Sequence, residues 1–262
     1  MMQLKTVGRR SRKPLFIALG IALFVGVACA GGWWYNAAEA TTKYNEQKAA
    51  YITQSRSELK TLGDEFKALA QQADTAKSIE TLAKLQTLID AQVGKAPVLP
   101  QLFGVTLTSA ADSQVRADHI DRLIELKKTA GAARAFMAYQ QQVSAILQSA
   151  TTVTGPNAAQ QKALADAWAV MATKLKEVSL PSQEVTSVHQ QVIAAVEATQ
   201  VTLATLPDLF TKKDIPGFAA KQKEVEAHVT TLRSLSETVR ALAVTHDQAI
   251  ARDFAELSAS LK

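Results

Sequence analysis

LADAWAVMATKLKEV, residues 164–178, is the stretch that decides the fold class. Leu164, Trp168, Met171, Leu175 and Val178 recur at steps of three and four, which places all five on one face of a helix. Val185, Val188, Val192 and Ala195 repeat the pattern immediately downstream. Further upstream, Leu59, Leu62, Phe66 and Leu69 form one such stripe, and Ile79, Leu82, Ile89 and Val93 form another. Near the C-terminus, Val225, Leu232 and Val239 alternate with Leu235 and Leu242 as in a coiled-coil seam, with His228 and His246 on the same seam. That seam weakens after about three heptads and so fits a bundle helix better than an isolated coiled coil.

Turn chemistry separates these stripes. Thr154-Gly155-Pro156-Asn157 and Ser179-Leu180-Pro181-Ser182 each divide two helices, with Asn157 as an N-cap. Pro207 and Asp214-Ile215-Pro216-Gly217 bracket a short connection around Phe210. Helices are expected near 35–72, 76–93, 113–150, 157–178, 182–206 and 215–260, giving an all-α, antiparallel multi-helix bundle over residues 36–262. Between the second and third helices, residues 94–111 form an apolar connecting loop. Leu99, Leu102, Phe103 and Val105 are its candidate partner-binding residues, because long loops inside compact domains often carry function. The alternation of Phe103, Val105 and Leu107 also suits a short strand.

Ahead of the bundle, the sequence reads RRSRKPLFIALGIALFVGVACAGGWWY over residues 9–35. The stretch from Leu15 to Tyr35 is uncharged, and about 20 such residues suffice to cross a hydrocarbon core. Lys5, Arg9, Arg10, Arg12 and Lys13 precede it, which the positive-inside rule places in the cytoplasm. The expectation is a basic tail over 1–13, a transmembrane signal anchor over 14–35 and an extracytoplasmic domain beyond. Trp33, Trp34 and Tyr35 would sit at the membrane interface. Ala18, Ala22, Gly26 and Ala30 would form a small-residue face suited to transmembrane association as a homodimer. The alternative is secretion after cleavage following Ala30, since Ala28-Cys29-Ala30 is an acceptable processing site.

Composition narrows the function. The net charge of +5 comes from those five leading basic residues, whose removal leaves 24 of the 29 basic residues against 24 acidic ones. A balanced domain lacks the basic footprint of a nucleic-acid binder. The sole cysteine, Cys29, precedes the bundle, so no disulfide staples it. No G-x-S-x-G elbow or phosphate loop occurs, and no histidine lies three residues after a glutamate as a di-iron bundle requires. Glu224 and His228 make at most half a metal site. The sequence thus predicts no catalytic, metal or cofactor residues. Its leading reading is a non-enzymatic, membrane-anchored scaffold or spacer that meets another envelope protein. The alternative is an exported bundle holding a small apolar ligand or lipid between its helices.

Overall fold

The computed structural model describes residues 13–72, 75–102, 105–149 and 157–260, with side chains described for these except 13–33, 66–67, 69–72, 102 and 105. The chain is all-α. Among the described residues six helices run α1 (Lys13–Gln72), α2 (Thr75–Lys95), α3 (Ala110–Gln148), α4 (Ala158–Lys176), α5 (Gln183–Thr211) and α6 (Ile215–Ser260). Between α2 and α3 lie two strands of two residues each, β1 (Gln101–Leu102) and β2 (Val105–Thr106), paired antiparallel.

Among the described residues, no helix is long and apolar enough to cross a membrane. This overturns the single-pass anchor over 14–35. From Trp34 onward the described side chains of α1 include Glu39, Lys43, Glu46, Lys48 and Arg56, a charged stretch rather than an apolar span. With the anchor go the cell-membrane location with a cytoplasmic N-terminus, the membrane as partner and the transmembrane homodimer. The anchored envelope spacer and its envelope-protein partner go too. The basic tail over 1–12 lies outside the described residues. Ala18, Ala22, Gly26, Ala30 and Trp33 fall in the part of α1 whose side chains are not described, and the alternative cleavage point after Ala30 falls within α1 itself. Trp34 and Tyr35 are exposed on α1.

Two compact units divide the chain. The first takes in residues up to Gln54 together with Ala96–Arg116. Tyr44 and Ala96 are buried within it. Ser109 caps α3 by accepting from the Asp112 backbone N–H at 3.0 Å, and its hydroxyl donates back to the Asp112 carboxylate at 2.9 Å. Lys48 Nζ donates to the same carboxylate at 2.9 Å, and this bond holds the Asp112 carboxyl below its ordinary pKa. Arg116 Nε donates to the Pro97 carbonyl at 2.7 Å, tying the start of α3 to the stretch before β1.

The second unit comprises Ser55–Lys95 and Ala117–Lys262. Within it α3 and α6 run antiparallel. His119 Nδ1 lies 3.2 Å from Ser260 Oγ, Arg122 meets Glu256 at 3.3 Å, Thr129 donates to Asp253 at 2.6 Å, and the Phe136 ring lies 4.9 Å from that of His246. Each step forward along α3 is a step back along α6. Helix α2 lies along α3 through Lys127 to Asp90 at 2.6 Å and Arg134 to Gln86 at 3.3 Å. A Cβ at Gly131 would come within 2.9 Å of Gln86 Nε2, so the missing side chain admits this close approach. Further along, Phe136, Tyr139 and Val143 of α3 join Met171 and Leu175 of α4, Val185, Val192 and Val196 of α5, and Leu235 of α6 in one core. Burial of each large side chain there contributes about 1.5–3 kcal/mol.

The helix ends show where local chemistry acts. Asn157 caps α4 in a capping box with Gln160, whose backbone N–H donates to Asn157 Oδ1 at 2.9 Å. Helix α5 does not stop before Pro207 as the sequence suggests but runs on to Thr211. Proline withdraws one ladder donor. Packing offsets that loss: Leu203 and Leu206 are buried against Ala165, and Phe210 meets Phe218 edge-on at 6.3 Å. The helix then ends in a Schellman turn, with Asp214 N–H donating to Leu209 O at 3.0 Å and Lys213 N–H to Phe210 O at 3.1 Å. The left-handed position falls on Lys213, at φ 56°. Asp214 then caps α6 by accepting from Gly217 N–H at 3.0 Å.

Glycine would adopt this left-handed conformation without the Cβ penalty. Lys213→Gly is therefore expected to stabilise the protein by about 0.5–1 kcal/mol, and Lys213→Val to destabilise it. Urea denaturation midpoints check both, and a lowered midpoint for the glycine variant would contradict the strain argument.

Candidate functional site

On the second unit a trough runs along one flank of α6. It has two compartments that share Leu147, Leu232 and Ser236 in their walls. The compartment nearer the start of α6, about 630 Å³, is apolar. Trp168 and Met171 of α4 and Leu147 of α3 face Val229 and Leu232 of α6, with Arg233 and Glu237 at the edge. These residues converge because the 164–178 stripe and the α6 seam both turn inward. Trp168 and Leu232 are only half-buried although they pack on the core.

The second compartment, about 500 Å³, runs on between α3 and the middle of α6. Its α3 wall carries Gln140, Ser144 and Gln148, spaced four apart and so stacked on one helix face. Ser236 and Arg240 stand opposite on α6, with Val192 of α5 and Tyr139 of α3 also in the lining. Arg240 forms an exposed ion pair with Glu237 at 3.2 Å. Such exposed one-turn pairs contribute only about 0.3–0.5 kcal/mol and exchange partners readily.

Beneath the trough lies a polar chain of three groups from three helices. Tyr139 Oη is 3.1 Å from His189 Nδ1, and His189 Nε2 is 3.0 Å from the carbonyl of Leu175, all buried. A carbonyl only accepts, so Nε2 carries the proton, Nδ1 presents its lone pair, and the Tyr139 hydroxyl donates to it. Burial lowers the His189 pKa, partly countered by the bond to Leu175. Burial also pushes the Tyr139 phenol up to about 12. Both groups are therefore neutral at physiological pH. The tyrosine and histidine rings meet edge-on at 5.6 Å.

The residues singled out in the sequence fall elsewhere. Leu99 is half-buried ahead of β1, while the side chains of Leu102, Phe103 and Val105 lie outside the described residues. His228 is half-buried on α6, and Glu224 pairs with Lys221 at 2.7 Å. The deeply buried histidines are instead His119 and His189. Among the described residues, no group of three or more His, Cys, Asp or Glu side chains is arranged to hold a metal ion. No protein-family model, no curated protein and no solved structure matches this chain.

Burial lowers the pKa of His119 as well, with Arg122 adding to the effect. For both histidines the unfolded chain binds the proton more readily than the folded one. Stability is then complete above the unfolded value near 6.5 and falls as pH drops below it. Asp247, whose carboxyl is raised by burial, works in the opposite sense as pH falls. Thermal melts are expected to show a lower midpoint at pH 5 than at pH 7.5. Tyr139→Phe leaves Nδ1 of His189 without its donor and is expected to cost about 1–3 kcal/mol at pH 7.5. An unchanged midpoint in that variant would remove the hydrogen bond from the account.

Proposed function

We propose that this protein is a non-enzymatic binding module, and that the trough along α6 receives a small, largely apolar ligand. No membrane anchor and no export step enter this reading. The observation that carries it is the apolar compartment of Trp168, Met171, Leu147, Val229 and Leu232. Its volume lies within the roughly 300–1,000 Å³ of small-molecule sites, which combine apolar walls with a few placed polar groups. The same walls support the non-enzymatic part of the reading. Nucleophilic catalysis requires a base beside the nucleophile. The trough presents the hydroxyls of Ser144 and Ser236, and His189, which bonds to Tyr139 in its wall, has both ring nitrogens committed to Tyr139 and Leu175.

The test uses the full chain with Trp33 and Trp34 changed to Phe, leaving Trp168 as the single indole of three. Titration with 1-anilinonaphthalene-8-sulfonate is expected to quench Trp168 emission saturably, at one probe per chain. Val229→Glu places a charge in the wall of the compartment and should weaken that binding at least tenfold without altering the thermal midpoint. A linear, non-saturating response, or equal binding by the Val229→Glu variant, would overturn the proposal.

A further inference from the structure

We infer that the ligand is an elongated amphipath with a monoanionic carboxylate at one end, its apolar body in the Trp168–Met171 compartment and its head in the compartment of Ser144, Ser236 and Arg240. This rests on the binding reading above and adds the chemistry of the ligand. Three observations carry it. The compartments adjoin at Leu147, Leu232 and Ser236, so a molecule that fills both crosses these three side chains. The lining from Val229 to Arg240 covers eleven steps of helix, about 16 Å at 1.5 Å per residue, which suits an extended chain rather than a compact ring.

The third observation is the distribution of polar groups. The second compartment sets Gln140 and Ser144 of α3 opposite Arg240 of α6, whereas the first is centred on Trp168, Met171, Leu147, Val229 and Leu232, with Thr230, Arg233, Ser234 and Glu237 around them, and Ser236 lines both. A guanidinium fork flanked by hydroxyls and amides matches a carboxylate in charge and in geometry. The charged residues lining the trough are Arg233, Arg240 and Glu237. Of these only Arg240 lines the head compartment, so one cation there matches a single negative charge, and Glu237, its ion-pair partner, opposes a dianion such as a phosphate monoester. On binding, the carboxylate replaces Glu237 as the partner of Arg240, and the exchange is easy because the existing pair is solvent-exposed.

Calorimetric titration of the full chain with decanoate, decanol and butyrate tests this. Decanoate is expected to bind at least tenfold more tightly than decanol, and butyrate not measurably, because it lacks the apolar body. Arg240→Gln should bring decanoate down to the level of decanol while leaving decanol unchanged. Ser236→Asp, which sets a carboxylate beside the head position, should do the same. Equal affinities for decanoate and decanol in the unaltered protein would overturn the head-group assignment and leave the apolar compartment standing. Failure of both long-chain probes to bind would remove the binding reading and this inference with it.

Discussion

A neutral imidazole held between a phenol and a backbone carbonyl fixes the part of the structure on which the trough depends. His189 of α5 donates to Leu175 in the last turn of α4 and accepts from Tyr139 of α3. Non-directional apolar packing would allow these helices to slide by a fraction of a turn at little cost. Two hydrogen bonds in a buried site do not, because an unmet polar group there costs about 1–3 kcal/mol. The position of Tyr139 sets where Gln140 and Ser144 stand opposite α6, and the position of Leu175 sets where Met171 and Trp168 face it. One small polar chain therefore spaces both compartments.

The carbonyl of Leu175 has a second duty. It belongs to the last turn of α4, where carbonyls lack ladder partners, and it accepts from Val178 N–H at 3.1 Å as well as from His189. The negative end of a helix favours a proton on a nearby histidine, and burial opposes it. Burial prevails at His189. The site is therefore stable in the neutral form and loses stability on acidification.

The sequence made the helical architecture plain because its apolar residues keep a 3.6-residue period with clear breaks. The stripe over 164–178 and the cap at Asn157 read directly into α4. What remained hidden had a physical cause in each case. Pro207 is a sound breaker signal, overridden by the packing of Leu203 and Leu206, which no local rule contains. Lys213 carries no mark of a left-handed residue because the expected glycine is absent. His189 occupied the stripe all along, four residues after Val185 and three before Val192, and a histidine in that register is the signal that could have found it. The seam histidines drew attention instead, although His228 and His246 are only half-buried. The trough itself was illegible, since it arises from the spacing of α4 and α6 rather than from any motif. The uncharged run at the N-terminus has the length and apolarity of a span in the sequence, yet among the described residues no helix meets the requirement.

Nitrogen-15 NMR of the His189 imidazole, assigned by loss of its signals in His189→Gln, tests the central claim most directly. The account predicts a neutral ring at pH 7 with the proton on Nε2 and Nδ1 unprotonated, titrating below the range of a free histidine. A proton on Nδ1 at pH 7, or a titration at or above pH 6.5, would contradict it.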